Sequence, residues 1–261
     1  MQTLTVSIHD RHYRYVIIGA GGVGAIVARY LAPFLEASFA SNGSMAWLKL
    51  VDGDSYEPKN SERQLFTRLG NKAEVTAEMI GNEVNLTSLV LEHHDEFVTR
   101  DNLKELIDEG DVVFCCVDHH GVRRIVSERC QELRDVVLFS GGNEGVEPEK
   151  GERGTAGNVQ VYWKRDDMEL APSIERFHPE IGTADPDLAP GGAGGCAQVV
   201  ASVPQLLFAN LAVASSMLSA FYAFATGTLQ HSEFKFDIVE AAMVPQLPLT
   251  SPDTTPHAIR A

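Results

Sequence analysis

Residues that could bind a nucleotide lie near the start of the chain. Between a run of β-branched residues and a stretch of helix formers stand Gly19, Gly21 and Gly24, spaced as G-x-G-x-x-G. Between a strand and a helix, this spacing is typical of a phosphate-binding turn. Glycine permits positive φ and a close backbone approach, and the helix N-terminus offers free N–H groups to an anion. An additional glycine, Gly22, predicts a more open turn. We therefore expect this turn to bind nucleotide phosphates.

A second set of polar residues follows the next β-branched run. Asp52 ends that run, and an acidic residue there binds ribose hydroxyls in dinucleotide-binding enzymes. An NAD(P)-dependent oxidoreductase is therefore one candidate function. The residues after Asp52 argue against it, because hydride transfer does not need such a polar cluster: Asp54, Asn60, Arg63, Gln64 and Lys72. Two of these residues are cations, Arg63 in a loop and Lys72 at the start of a predicted helix. Such a pair suits a triphosphate better than a pyrophosphate that is already held by glycines.

A third carboxylate comes after the apolar run "DVVFCCV". Such a run is typical of a strand buried on both faces of a parallel sheet. Asp118 would then lie at the carboxyl edge of the sheet, where open α/β sheets bind their ligands. A carboxylate at that edge could hold Mg²⁺ against phosphates. The histidine pairs of the sequence lack carboxylates at a metal-binding spacing, so we do not expect them to form a metal site.

The predicted elements describe an α/β fold, a Rossmann-like, doubly wound, mostly parallel sheet with additional C-terminal strands. The first unit consists of strands at Tyr13–Ile18 and Ala46–Val51 with a helix at Ala25–Leu35 and a loop at Ala37–Ser44 between them. Further helices are predicted at Lys72–Glu83, Asp101–Asp108 and Val122–Leu133, and further strands in "VVLFSGG", "GNVQVYW" and "FKFDIVEAAMV". We expect one domain over residues 1–244 and a Pro- and Thr-rich tail over residues 245–261.

Composition restricts the partners. A formal net charge of −15 over 261 residues, with no Lys/Arg run, argues against nucleic acid. No secretory signal is recognisable, so the cytoplasm is the expected compartment. Residues 188–230 carry no charge, and "VPQLLFANLAVASSMLSAFYAFATG" is long enough to cross a membrane. Its Pro, Asn and Ser residues and its lack of a basic flank favour instead a helix buried in the core or in a homodimer interface.

The sequence resembles the ThiF/MoeB family, the bacterial relatives of ubiquitin-activating enzymes. The resemblance lies in four features that occur in this order: "GAGGVG", "VDGDSYEPKNSERQ", Lys72 and "CCVD". The resemblance covers residues 13–224 and is specific, because N-x-x-R-Q after D-x-D is not shared with NAD enzymes. Within the family, the sequence is most similar to the ThiF-like proteins of PRTRC plasmid and integrative-element cassettes.

The resemblance implies an ATP- and Mg²⁺-dependent adenylyltransferase that works as a homodimer. Such enzymes convert the C-terminal carboxylate of a ubiquitin-like or small carrier protein with a flexible C-terminus into an acyl-adenylate and release pyrophosphate. Carried over by motif, Gly22 lies against the phosphates, Asp52 binds the ribose, and Asp118 binds Mg²⁺. Arg63 and Lys72 neutralise charge at the α-phosphate. The remaining motif residues line the nucleotide site: Asp54, Asn60 and Gln64. A nucleotide-binding scaffold without catalysis stays open as an alternative.

One cysteine is a candidate nucleophile. Cys196 lies between a glycine-rich loop and the long apolar helix, and some relatives use a cysteine at the matching position to form a thioester or persulfide. A helix N-terminus would favour its thiolate, whereas the alternative is a small buried residue. Cys115, Cys116 and Cys130 are expected in the core. Since the chain has no C-x-x-C pair, we expect no zinc site.

Overall fold

A computed structural model describes residues 13–62, 64–188 and 205–248. The strands are β1 Arg14–Ile18, β2 Ala46–Val51, β3 Ser55–Tyr56, β4 Gly70–Asn71, β5 Leu89–His94, β6 Val112–Cys115, β7 Val136–Asn143, β8 Val146–Glu147, β9 Glu152–Arg153, β10 Ala156–Arg165, β11 Met168–Ala171, β12 His231–Asp237 and β13 Ala242–Pro248. The helices are α1 Gly24–Asn42, α2 Lys72–Glu83, α3 Leu103–Leu106, α4 His120–Glu132, α5 Pro179–Thr183 and α6 Leu207–Ala225.

Nine of these strands form one mixed sheet in the order β13-β12-β10-β7-β6-β1-β2-β5, with β11 paired to β10. The five strands from β7 to β5 are mutually parallel, and the strands beyond β7 are antiparallel. The predicted α/β fold with additional C-terminal strands is confirmed. At the carboxyl edge, Gly19 N donates to Val51 O (2.9 Å) and Cys116 N to Ile18 O (2.8 Å), so the segments after three parallel strands lie side by side.

Helices cover both faces of the sheet because its central strands are apolar on both sides. On one face, α1, α2 and α6 bury their apolar residues in a large core cluster. On the other face, α3 and α4 pack against a second cluster. In the first cluster, Phe114 and Phe139 stack with ring centroids 5.2 Å apart, and Phe221 of α6 meets both rings edge-on.

Within the charge-free segment of the sequence, Leu207–Ala225 form α6. The face of α6 that carries Val213, Met217 and Phe221 packs on the sheet. On this face, α6 is the buried helix that was predicted. By length and composition alone, α6 is also the one helix in the described chain that could cross a membrane, and half of its most apolar window is buried. The opposite face leaves large apolar side chains in solvent, among them Phe208 (71% exposed) and Tyr222 (44%).

The first predicted loop is wrong, because α1 continues from Leu35 through residues 37–42. Tertiary contacts stabilise these two extra turns. Phe39 is fully buried and meets Tyr15 edge-on, with centroids 6.3 Å apart. The carboxylate of Glu36 accepts hydrogen bonds from the backbone N–H groups of Thr87 and Ser88. The helix ends where Gly43 adopts a left-handed conformation, φ +70°.

Other predicted boundaries also change. The helix expected over Asp101–Asp108 is only the single turn α3, and Asn102 before it accepts from Thr99 N instead of capping it. The strand expected in "FKFDIVEAAMV" is the hairpin of β12 and β13, because Asp237 Oδ1 accepts from Val239 N and Glu240 N and turns the chain.

Two further differences concern the sheet edges. Strand β13 runs through Pro248, so residues 245–248, predicted as the start of a tail, belong to the sheet. The rest of the predicted tail lies outside the described residues. At the other edge, strand β5 was not predicted, because its polar second half, "EHH", does not follow either strand pattern.

Candidate functional site

The glycine turn joins β1 to α1 at the carboxyl edge of the sheet. Gly19 has φ +88°, a conformation that side chains rarely adopt. A Cβ on Gly24 would overlap the carbonyl oxygen of Gly19, so the first turn of α1 packs directly on the end of β1. A Cβ on Gly21 would meet only Gln64 Nε2, at 3.8 Å. The three glycines therefore have different roles, and Gly21 is the one beside free space.

Asp52 follows β2 and is hydrogen-bonded to the glycine turn. Its Oδ2 accepts from Ala20 N (2.7 Å), and its Oδ1 accepts from Asp54 N (2.9 Å). Burial raises the pKa of Asp52 above its ordinary value, and the charge of Lys72 partly offsets this effect. Each carboxylate oxygen can accept a second hydrogen bond. Asp52 therefore fixes the turn and still has acceptor capacity for a ribose hydroxyl.

Lys72 is the first residue of α2 and is brought to the same edge by the residue before it. Asn71 caps α2 by accepting from Glu74 N (3.1 Å), and its Nδ2 donates to the carbonyl of Asp52 (2.7 Å). Lys72 is 9% exposed and forms an ion pair with Asp54. Burial alone would raise the pKa of Asp54, but the hydrogen bond and charge of Lys72 outweigh it and lower that pKa. The site thus holds a nearly buried cation.

Tyr56 connects this helix to the glycine turn. Its hydroxyl donates to the carbonyl of Ala20 (3.1 Å) and lies 3.2 Å from the hydroxyl of Thr76 on α2. The ring is buried and stacks on Phe66. The backbone N–H of Lys72 also donates to the carbonyl of Asp54 (2.9 Å). The glycine turn, the end of β2 and the start of α2 are therefore linked by side-chain and backbone hydrogen bonds.

Asn60 and Gln64 lie in and after the 3₁₀ turn Pro58–Glu62. Asn60 is buried, and its Oδ1 accepts from Glu57 N (2.7 Å), while its carbonyl accepts from Gln64 N (2.9 Å). Asn60 thus shapes the loop that brings Gln64 beside Gly21. The Oε1 atom of Gln64 is buried and has no hydrogen-bond partner within the described chain. Arg63, between them, lies outside the described residues.

Asp118 lies three residues after the end of β6 rather than at its last position. The chain before it passes the glycine turn, because Val117 Cγ1 would be 2.9 Å from a Cβ on Gly19. After it, His119 Nδ1 accepts from Gly121 N (3.1 Å) and caps α4. Among the described residues, no group of three or more His, Cys, Asp or Glu side chains is placed to hold a metal ion.

Arg123 on α4 was not predicted as a residue of the site. Its guanidinium is buried and donates to the carbonyls of Val117 (3.0 Å) and Gly141 (2.7 Å) and to the hydroxyl of Ser140 (2.9 Å). It therefore holds the segment before Asp118 against the end of β7. No local pattern distinguishes Arg123 from Arg124 and Arg129 on the same helix, although these two lie nearer the surface.

Asn210 on α6 was not predicted as a residue of the site either, and its position corrects the expectation of an open turn at Gly22. The carboxamide of Asn210, from α6, occupies the space where a side chain of residue 22 would lie. Asn210 is fully buried. The available signal was that it is the sole carboxamide in the charge-free helix. Gly22 is therefore needed to make room for Asn210.

Cys115 and Cys130 are buried and Cys116 is partly buried, a setting that does not favour a nucleophilic role. Burial raises the pKa of the thiols of Cys115, Cys116 and Cys130 above the ordinary value. Their thiolates are correspondingly disfavoured. Cys196 lies outside the described residues.

The structure brings most of the predicted nucleotide-binding residues together. The glycine turn, Asp52, Asp54, Lys72 and Gln64 meet at the carboxyl ends of β1 and β2, and the segment leading to Asp118 borders the turn. Asn60 supports this group from within its loop.

Comparison with known proteins adds the following findings. The model of the ThiF family matches residues 9–244. An adenylyltransferase and sulfurtransferase UBA4 of Candida albicans is 23% identical over 143 residues, which are 54% of this chain and 30% of that protein. An adenylyltransferase and sulfurtransferase MOCS3 of Dictyostelium discoideum is 31% identical over 117 residues, 44% of this chain and 25% of that protein. The matches span less than a third of these relatives.

Solved structures share the fold over nearly the whole chain. Escherichia coli MccB bound to ATP superposes with a TM-score of 0.63 at 16% identity, covering 95% of this chain and 67% of MccB. MccB with AMPCPP and selenomethionine MccA gives a TM-score of 0.65 at 15% identity with the same coverage. PaaA gives 0.60 at 16% identity, covering 91% of this chain and 64% of PaaA.

Proposed function

The chain belongs to the ThiF family, and we propose that it is an ATP-dependent adenylyltransferase. Its substrate would be the C-terminal carboxylate of a small protein, which it would convert into an acyl-adenylate. The observation that carries the proposal is the pair Asp54–Lys72 beside the glycine turn. A nearly buried cation next to a phosphate-binding turn serves a reaction in which charge develops on phosphate, whereas hydride transfer requires no such cation.

The residues fit ATP. The space beside Gly21 is free for the close approach of a phosphate, and Asp52 retains acceptor capacity for the ribose. Buried polar atoms of Gln64 and Asn210 next to the turn have no partner in the described part of the chain. Buried polar groups usually have partners, so these atoms mark a place where a polar ligand fits. Of the solved relatives, MccB has been crystallised with ATP.

In the proposed step, a carboxylate oxygen of the protein substrate attacks the α-phosphorus of ATP. The bond from the α-phosphorus to the bridging oxygen of the β-phosphate breaks, and pyrophosphate leaves with the electron pair. Lys72, and Arg63 by motif, neutralise the charge that grows on the phosphates. Asp118 would hold Mg²⁺ together with phosphate oxygens, and the ion would supply further charge neutralisation.

For the protein substrate, we propose a ubiquitin-like or small carrier protein with a flexible C-terminus. MccB, which shares the fold, has been crystallised with MccA, and the curated relatives are named adenylyltransferases. The motif resemblance to PRTRC-system ThiF proteins points to a partner encoded in the same operon. We place the reaction in the cytoplasm, without nucleic acid or membrane.

The proposal predicts exchange of labelled pyrophosphate into ATP when the protein is mixed with Mg²⁺, ATP and the small partner protein. Exchange occurs because adenylation is reversible until the acyl group leaves. Removing the last residues of the partner should abolish it, which serves as the control. Calorimetry should show binding of ATP with Mg²⁺ and little of NAD. Tighter binding of NAD would instead support the oxidoreductase, and ATP binding without exchange would support a scaffold.

The same assay tests Cys196 as a later nucleophile. In that role its thiolate would attack the acyl carbon and release AMP, leaving a thioester. Because this step follows adenylation, Cys196→Ala should leave exchange intact and abolish only a thiol-sensitive adduct with the partner. If the wild-type protein forms no such adduct, Cys196 is not a nucleophile and the acyl-adenylate is transferred directly to an external acceptor.

We further propose that the protein is a homodimer through the groove between α1 and α6. Tyr30 of α1 (66% exposed) and Leu211 and Tyr222 of α6 line this groove with apolar surface. The double substitution of Tyr30 and Tyr222 by glutamate should give a monomer in analytical ultracentrifugation, because charge opposes burial of the patch. Met168→Glu, at an exposed apolar position on β11, is the matched control. A monomeric wild-type protein would exclude the dimer.

A further inference from the structure

Asn210 is unusual among the buried residues of this protein. Its side chain lies within the helix face that packs on the sheet, between Ala209 and Val213 of the core. Neither Nδ2 nor Oδ1 has a hydrogen-bond partner among the described residues, and both atoms are shielded from solvent. A buried polar group that lacks a partner destabilises the folded protein, because it has given up its hydrogen bonds to water. The carboxamide of Asn210 therefore lowers the stability of the folded protein unless another group binds it.

The carboxamide is directed at the glycine turn. Its Nδ2 atom, followed by its Cγ atom, lies where a side chain on Gly22 would be. Position 22 is thus occupied by a polar group from a distant helix. One residue earlier in the turn, Gln64 Nε2 is the nearest atom to the Cβ position of Gly21, and its Oε1 also lacks a partner among the described residues. Two carboxamides therefore lie next to the turn, and three of their atoms have no partner in the described part of the chain.

Packing alone does not explain an asparagine at this position. The residues of α6 that share its buried face, such as Val213 and Met217, are apolar. A leucine has nearly the same shape as asparagine with an apolar tip, and it would avoid the cost of an unpartnered amide. Departures of this kind from the packing rules are expected at functional sites, where a ligand supplies the missing partner.

We propose that Asn210 is a nucleotide-binding residue whose Nδ2 donates to a phosphate oxygen of ATP bound at the glycine turn. This inference rests on the proposed function, because it requires a polyphosphate at the glycine turn. The shielding of the carboxamide means that the contact forms through a small movement of the Asn210 side chain. A glycine at position 22 permits such a movement. Asn210 thus adds a side-chain donor to the backbone N–H groups of the turn.

The test is Asn210→Leu, assayed by thermal unfolding without nucleotide and by calorimetry with ATP and Mg²⁺. The melting temperature should stay the same or rise, because the unpartnered amide is gone. The affinity for ATP should fall roughly tenfold, since a hydrogen bond to a charged group is lost. Ser216→Ala removes a hydroxyl from the same helix that donates to Ala212 O, and it should leave ATP affinity unchanged. Unchanged ATP affinity in Asn210→Leu would overturn the proposal.

A second variant covers the case in which Asn210→Leu does not fold. Asn210→Ala removes the carboxamide without adding bulk or charge to the buried site. It should weaken ATP binding roughly tenfold and leave the binding of adenosine, which has no phosphates, unchanged. Equal weakening for ATP and adenosine would overturn the proposal, because the effect would not be on phosphate. If the wild-type protein binds no ATP, the proposed function itself fails, a result distinct from unchanged ATP affinity in the variants.

Discussion

Replacing Lys72 with methionine is expected to lower the rate of pyrophosphate exchange by about 10²–10³-fold. Binding of ATP should weaken by less than about tenfold, because charge on the α-phosphate and the leaving group grows toward the transition state, and a group that meets this charge acts mainly on the rate. Folding should survive the substitution. Asp54, the partner left behind, has a side chain that is 57% exposed and can be hydrated instead.

Two controls make the Lys72 result specific. Lys72→Arg keeps the charge but not the shape, so it should retain part of the exchange rate. Lys164→Met removes a lysine that donates to Gln131 O at the opposite edge of the sheet, and it should leave exchange unchanged. If Lys72→Met lowers ATP affinity as much as it lowers the rate, Lys72 binds the ground state rather than the transition state. If neither changes, Lys72 is only the structural partner of Asp54.

The second large effect is expected at Gly24. An added methyl group at this position would overlap the carbonyl oxygen of Gly19, and both are backbone positions that cannot move independently. Gly24→Ala should therefore destabilise the protein by about 3–5 kcal/mol, in the upper range for single substitutions. Denaturant unfolding would measure the loss. The cause is the packing of α1 on the end of β1, so the effect requires no nucleotide.

Gly21→Ala is the matched comparison in the same turn. Its methyl group would meet only Gln64 Nε2 at an ordinary contact distance, so stability should change by less than about 1 kcal/mol. Affinity for ATP should nevertheless fall, because the methyl group projects into the space proposed for phosphate. Equal stability of the two variants would contradict the structural role of Gly24. Unchanged ATP affinity in Gly21→Ala would move the phosphates away from residue 21.

The parts of the site that sequence analysis predicted depend on local signals. The glycine spacing, the acidic residue after β2 and the start of α2 at Lys72 all follow from residues within a few positions of each other. The extension of α1 could not be predicted in this way, because it depends on contacts of Phe39 and Glu36 with other elements. Local patterns report propensity, and tertiary packing can override it.

Of the two carboxamide side chains next to the glycine turn, one could be predicted from local sequence and the other could not. Gln64 was predicted because it belongs to the motif N-x-x-R-Q close to Asp52. Asn210 was not, because α6 reaches Gly22 only after the sheet has formed, and the two residues are far apart in the sequence. Likewise, the role of Arg123 depends on its carbonyl partners after β6 and at the end of β7. These contacts exist only in the folded sheet, so the sequence does not indicate them.

The hydroxyl of Tyr56, which joins the glycine turn to α2, bears on the entropy of binding. A site whose parts move independently must lose that freedom each time a ligand enters, and the loss reduces affinity. Here, the ordering of the turn relative to the helix that carries Lys72 is achieved when the chain folds. Nucleotide binding therefore does not have to order the turn relative to this helix. Differences in affinity between ligands then reflect their contacts with the site.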